Sequence, residues 1–227
     1  MYLENLVFDA ADPGRLGRFW EELVGGERLT DEPDAFETRL AIADGPVLDL
    51  CFQAVPEPRA EAPARLRPVL RDRPAGCKAD AREVADLEGN PCLVAAGAGP
   101  LDSGLIEAGL IETGPVAGLV LDCADPVRDA AFWAWLTGWA DWPARQPALR
   151  HPSGRGPVLE FRPQRQPKQV KNRLHLDVRL DLADDAAAVA AGITHRGGRE
   201  VRFGSGLPWR SYVDPSGNEF CVLPARN

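Results

Sequence analysis

The chain repeats itself, and this limits its fold more than any other feature. Leu6-Val-Phe-Asp-Ala-Ala-Asp-Pro-Gly-Arg15 returns as Leu119-Val-Leu-Asp-Cys-Ala-Asp-Pro-Val-Arg128, at an offset of 113. The match continues through Phe19-Trp20, Leu23 and Gly25, which become Phe132-Trp133, Leu136 and Gly138. Gly45-Pro-Val-Leu-Asp-Leu50 returns as Gly156-Pro-Val-Leu-Glu-Phe161, and Asp86-Leu-Glu-Gly-Asn90 as Asp214-Pro-Ser-Gly-Asn218. Self-similarity of this kind marks a duplicated structural unit. The offset drops to 108 between Arg65-Leu66 and Arg173-Leu174 and rises to 128 in the last block, so the first copy lacks about 20 residues where the second carries 182–202. The expected organisation is a degenerate first copy over 1–98, a linker over 99–114 and a fuller second copy over 115–227.

Each copy has a readable local grammar. Asp12-Pro13 and Asp125-Pro126 supply an N-cap carboxylate and a proline at the first helical position, and Gly25 and Gly138 are placed to cap the far ends. Between the first pair, Leu16, Phe19, Trp20 and Leu23 recur at i, i+3, i+4 and i+7 as an apolar stripe. Short strands are predicted before each helix, at 6–10 and 119–123, and further β-rich runs after it, such as 158–162. Copy two then restarts the unit. Residues 173–180 alternate, with leucines and Val178 on one face and His175, Asp177 and Arg179 on the other. A helix is predicted over 182–191, ending at Gly192. Strands follow at 201–203, 209–213 and 220–223, with Asp214 to Asn218 as the turn between the last two. A strand, a helix and several strands make a βαβββ module, and the fold class is α+β.

Charge and cysteine content narrow the function. Lys and Arg number 26 against 34 Asp and Glu, a net charge of −8, which provides no general field for phosphate backbones; nucleic acid is not an expected partner. No apolar window approaches a membrane span and Met1 is not followed by a signal-like segment, so no membrane association and a cytoplasmic location are expected. The five cysteines lack CxxC spacing and are read as small buried hydrophobes. No GxGxxG or GxxxxGK[ST] follows a strand and no GxSxG elbow occurs, which leaves nucleotide use and serine hydrolysis without support.

Four marks occur in order through copy two: Asp125-Pro126 with Phe132-Trp133; Leu136-Thr137-Gly138-Trp139; Asn172-Arg173-Leu174-His175-Leu176-Asp177; and Asp214-Pro-Ser-Gly-Asn218-Glu219-Phe220-Cys221. Together they resemble the glyoxalase/bleomycin-resistance, or vicinal oxygen chelate, superfamily, in its glyoxalase-like branch of actinobacterial type. Copy one keeps the first and last marks but reads Arg65-Leu66-Arg67-Pro68-Val69 where copy two has the histidine. The resemblance implies tandem glyoxalase-like domains of βαβββ modules, with curved mixed sheets forming a bowl and the first copy incomplete. Active relatives hold a divalent metal there with four side chains, commonly His, Glu or Gln, and the metal polarises substrate oxygens. In copy two those positions fall at Gly118, Glu160, His175 and Cys221, and in copy one at Asn5, Asp49, Arg67 and Leu93. Glycine offers no ligand and Cys221 replaces the usual Glu, so a complete metal site is not expected. A bound ion, if there is one, would be zinc on Glu160, His175 and Cys221, since thiolate and imidazole suit it. Copy one is expected to hold no metal.

The expected function is binding of a small organic ligand in the bowl of the second domain, with Glu160, His175, Asp177, Arg179, Trp209 and Cys221 as the binding residues. The alternative is a metal-dependent lyase, isomerase or dioxygenase acting on a small substrate. A third reading is a scaffold whose degenerate copy covers a sheet edge, within the chain or in a homodimer. A solvated sheet face would show the same polar alternation at 175, 177 and 179. Trp133, matching Trp20, is read as core, whereas Trp135 and Trp142 are candidates for a pocket or an interface. Trp209, after Gly204-Ser-Gly-Leu-Pro208, is placed on a mobile lip over the cavity. His151 and His195 are expected to be exposed, and 162–171 to be a solvated basic connection.

Overall fold

The computed structural model describes residues 1–55, 63–72, 74, 82–95, 113–143, 147–202 and 208–226. Most of the expected linker, residue 203 of one expected strand, residues 204–207 of the expected lip and Cys77 lie outside them. The first half runs β1 (Tyr2–Ala10), α1 (Pro13–Val24), β2 (Glu27–Glu32), β3 (Ala35–Ala41), β4 (Val47–Ala54), β5 (Leu66–Leu70), β6 (Glu83–Ala85) and β7 (Pro91–Val94). The second runs β8 (Val116–Cys123), α2 (Pro126–Thr137), β9 (Ala140–Asp141), β10 (Ala148–Arg150), β11 (Val158–Pro163) and β12 (Leu174–Arg179). It ends with α3 (Ala186–His195), β13 (Arg199–Val201), β14 (Arg210–Val213) and β15 (Glu219–Leu223). No helix among the described residues is long and apolar enough to cross a membrane.

Two mixed sheets result, and neither is confined to one sequence copy. The eight-stranded sheet has the order β13-β14-β15-β12-β1-β4-β3-β2, the seven-stranded sheet β6-β7-β5-β8-β11-β10-β9. The first module of copy one therefore joins the last module of copy two through the antiparallel pair β1–β12, and the remaining modules meet through the antiparallel pair β5–β8. Inward alternation along β1 and β8 sends Leu6, Phe8, Leu119 and Leu121 into one hydrophobic cluster with Leu16, Trp20, Phe132 and Trp133 of the helices. The opposite faces of the sheets are left for polar groups.

The helix ends are built as the sequence suggests. Asp12 accepts from the Arg15 N–H at 2.9 Å and Asp125 from the Arg128 N–H at 3.1 Å, while Gly25 and Gly138 end the helices with φ of 64° and 71°. The buried stripe of α1 is Pro13, Leu16, Gly17, Trp20 and Val24, with Phe19 and Leu23 half-buried on its flank. The predicted helix over 182–191 needs correction. It starts later, at Ala186, because Asp185 is the N-cap and accepts from the N–H groups of Ala187 and Ala188; Leu182 is exposed. It also runs past Gly192, which caps nothing. A Cβ there would meet Trp135 Cζ2 at 2.6 Å, so this glycine lets α3 approach the indole, over which the Arg196 guanidinium stacks at 4.1 Å from the ring centroid.

The duplicated turns share one device. Asp214 Oδ1 accepts from the backbone N–H groups of Ser216 and Asn218, both at 2.9 Å, and Oδ2 accepts from the Trp133 indole at 3.2 Å. Asp86 does the same for Glu88, Asn90 and Trp20. Burial, and then the neighbouring Asp129 carboxylate, push Asp214 up to about 6. A carboxyl held above its unfolded value of about 4 favours the fold in its protonated form. Its contribution is complete below about pH 4 and is lost as pH rises through about 6. Asp214→Asn should therefore cost more at about pH 4.5 than at about pH 7, by about 2 kcal/mol, in urea melts at the two pH values. Equal costs would count against this role.

Candidate functional site

Register brings together a row of polar residues that sequence order separates. Across the eight-stranded sheet, Arg39 pairs with Asp49, Asp49 with Asn5, Asn5 with Asp177, Asp177 with Cys221 and Cys221 with Ser211. These six residues cross β3, β4, β1, β12, β15 and β14 on one level, facing away from the main core. One step along, Glu37 pairs with Cys51, Cys51 with Val7 and Val7 with His175. Because side chains alternate with a period of two, both levels present their groups to the same face.

The contacts within the row decide what it can do. Arg39 donates to both oxygens of Asp49 at 2.8 and 2.7 Å, a bidentate pair that neutralises this carboxylate. Asn5 Nδ2 donates to Asp177 Oδ2 at 3.1 Å. His175 Nε2 lies 3.4 Å from Asp177 Oδ1 and 3.8 Å from Cys221 Sγ, and Ser211 Oγ is 3.6 Å from the same sulfur. Burial works against a charged imidazole, but the Asp177 carboxylate and then the Cys221 thiol outweigh it, and His175 is pushed up to about 10. Burial first, and then the Glu37 carboxylate, raise the Cys51 thiol, whose Sγ donates to Glu37 Oε1 at 3.3 Å. Asn5 Oδ1 and His175 Nδ1 are buried without a hydrogen-bond partner, and Asp177 Oδ1 has the His175 imidazole as its ion-pair partner.

A cavity of about 330 Å³ opens over this face, bounded by Asn5, Glu37, Cys51, Asp177, Arg179 and Trp209 among others. Arg179 is tied to Glu4 and donates to the Pro224 carbonyl at 2.7 Å, so it forms part of the wall. His175, Asp177 and Cys221 form a potential ligand group, with one donor atom from each lying within 4.8 Å of the others. A nitrogen, a carboxylate oxygen and a sulfur suit zinc. With His175 protonated, an ion would have to displace that proton to bind.

Glu160 is not part of this group. It lies on β11 in the seven-stranded sheet, opposite Ala148 and Val120, where Arg162 donates to it at 2.8 Å. The expectation that Glu160 and His175 converge fails because β11 and β12, adjacent in copy two, enter different sheets. The positions paired by the repeat regroup in the same way. Asn5, Asp49, His175 and Cys221 share one sheet, and Gly118, Glu160, Arg67 and Leu93 share the other. The repeat marks Asn5 and Asp49 as site positions, but sequence order alone assigns them to a separate copy.

Other expectations are also adjusted. Most of 162–171 is exposed, as expected of a solvated connection, but Lys171 meets Asp9 at 2.6 Å and Lys168 pairs with Glu219, and residues 164 and 166–171 border a cavity of about 950 Å³ shared with Arg65, Arg67 and Asn90. His195 is exposed, whereas His151 is half-buried against Trp139. The cysteines at 51, 92, 123 and 221 are buried as expected.

A family model described as a glyoxalase-like domain matches residues 5–103 and again 118–223. No curated protein matches the chain by sequence. Among solved structures, glyoxalase I from Zea mays is similar at a TM-score of 0.56 and 15% identity, covering 98% of this chain and 92% of its own. The cppA protein from Streptococcus pneumoniae is similar at 0.51 and 14%, covering 99% and 98%. At these identities the likeness is one of fold.

Proposed function

The chain belongs to the glyoxalase-like domain family of the vicinal oxygen chelate superfamily, and from that premise we propose that it binds a small organic ligand in the cavity of the eight-stranded sheet, without a firmly held metal. The observation that carries this reading is Asn5 Oδ1, a buried acceptor without a hydrogen-bond partner on a residue that lines a cavity of about 330 Å³. Such an atom costs roughly 1–3 kcal/mol when left unpaired. A ligand hydroxyl or ammonium group would satisfy it, while Phe36 and Trp209 offer apolar wall for its carbon skeleton. The reading needs no second chain, since β1 meets β12 and β5 meets β8 within the molecule; a homodimer would use another surface.

A second reading rests on the proximity of His175, Asp177 and Cys221. These three, rather than Glu160, would hold a zinc ion, whose chemistry is to polarise a substrate oxygen for a lyase, isomerase or dioxygenase reaction. Asp49 would not join them, because Arg39 occupies both its oxygens. Loading with excess zinc, dialysis against metal-free buffer and elemental analysis separate the two. The first reading expects far less than one ion per chain. Stoichiometric retention, lost in His175→Ala, would overturn it in favour of the second.

A further inference from the structure

The cavity of about 950 Å³ is separate from the one beside His175, and no described residue lines both. It is bordered by the start of β5, by β6 and the turn after it, and by the connection from Gln164 to Arg173. Its charge is the reverse of the chain's. Arg65, Arg67, Lys168, Lys171 and Arg173 line it against the carboxylates of Glu83 and Asp122, in a protein of net charge −8. Most of these cations already have a counterion. Lys168 pairs with Glu219, Lys171 with Asp9 at 2.6 Å, Arg173 with Glu88 at 3.0 Å and Arg67 with Asp122 at 2.7 Å. Arg65 is the exception: it is 8% exposed, donates from Nη2 to the Gln166 carbonyl, and makes no ion pair with any described residue.

The duplication explains the missing counterion. Arg65 and Arg173 are equivalent positions, and their carbonyls accept from the equivalent N–H groups of Asp122 and Asp9 at 2.7 and 2.8 Å. The turn from Asp86 to Asn90 supplies Arg173 with the Glu88 carboxylate and with Asn90 Oδ1. In the matching turn, Ser216 stands where Glu88 does, and its hydroxyl accepts from the Ala124 N–H and from Arg128. That turn therefore holds no carboxylate for Arg65. A buried cation without a counterion is costly, and this one lies in the wall of a cavity that can admit an anion from outside. Strand alternation adds a second guanidinium. Leu66 is buried in the main core, so Arg65 and Arg67 face the other way together, about 7 Å apart along the strand. Arg67 Nε has no hydrogen-bond partner.

We propose that this cavity binds the phosphate group of a small organic phosphomonoester, with Arg65 and Arg67 as its anchors. One guanidinium fork is enough for the two oxygens of a carboxylate, whereas two forks on one face suit the three oxygens and the double charge of a phosphate. Lys168, Lys171 and Arg173 add to the positive lining. The volume is far more than a bare phosphate ion fills, and Val84, Pro91 and Val170 border the space left for the organic part. With no lining residue in common, this site stands or falls independently of the ligand reading given above.

Phenyl phosphate is the probe, at about pH 8 where it is a dianion. Benzoate serves as a carboxylate on the same ring and inorganic phosphate as the anion without the ring, all at constant ionic strength. Titration calorimetry on the full chain is expected to show phenyl phosphate binding at least about tenfold more tightly than either. Arg65→Met should weaken that binding by at least about tenfold. It orphans no carboxylate of the described residues, so its melt without ligand should not fall below the wild type's. Arg65→Lys keeps the charge but not the fork, and should bind phenyl phosphate about tenfold more weakly than the wild type; it carries the test if the methionine variant does not fold. No binding of phenyl phosphate to the wild type, equally tight binding of benzoate or of inorganic phosphate, or an affinity unchanged in a folded Arg65 variant would each overturn the proposal.

Discussion

Residues 115–227 produced alone are expected to form a dimer, not a folded monomer. In the intact chain β8 is buried along its whole length and pairs with β5, while β12 pairs with β1. Removing the first copy strips both partners and leaves two open strand edges with apolar faces, which proteins seldom expose. The repeat supplies the remedy. Because β1 and β8 are equivalent strands of the duplicated unit, β12 of one fragment can take β8 of a second in place of β1. The same pairing read backwards satisfies the other edge, and a closed twofold dimer follows. Sedimentation or size-exclusion with light scattering would show this as a doubled mass and a concentration-dependent melt. A stable monomer with a cooperative transition would mean that the strand pairs between copies contribute little.

Trp133→Ala is expected to destabilise the chain severely. The ring is 1% exposed and contacts Phe132 and Phe220 at centroid distances of 6.0 and 5.3 Å. It also pins α2 to the last turn, through the indole bond to Asp214. Truncating a buried aromatic costs about 3–5 kcal/mol through lost contacts and the cavity left behind. The buried carboxylate would lose a donor as well. Domains of this kind have only about 5–15 kcal/mol in total, so the urea midpoint should fall by a large fraction with little change in slope. Trp133→Phe keeps most of the packing and loses the hydrogen bond, and should cost about 1–2 kcal/mol. Near-equal costs for the two variants would show that the indole N–H, and not the packed ring, ties helix to turn.

Arg150 illustrates what a sequence conceals. In Ala148-Leu149-Arg150 nothing distinguishes an arginine at a strand end in solvent from one buried over Trp142. The difference depends on what packs around the guanidinium, the Trp142 ring and the Gly156 carbonyl, and a three-residue pattern records neither. Trp135 and Gly192 are a milder case, since a glycine at the end of an alanine-rich run has the pattern of a cap. Only the approach of the indole to α3 shows that the missing side chain makes room.

The duplication, the Asp-Pro helix starts, the glycine stops, the α+β class and the polar alternation of 173–180 were all legible, because each depends on residues within a few positions of one another. The family resemblance was legible for the same reason: its marks are short, ordered and repeated. The tertiary structure decided which strand edges meet. β1 and β8 are near-copies, so the local pattern of β12 is equally suited to either, and alternation says which side a residue faces without saying which strand lies beside it. The chain chose β1 for β12 and β5 for β8. That choice sent Glu160 to one face and brought Asn5 and Asp49 of the first copy beside His175, Asp177 and Cys221 of the second. The candidate site is a property of long-range hydrogen-bond pairing between the copies, and neither copy contains the whole polar row alone.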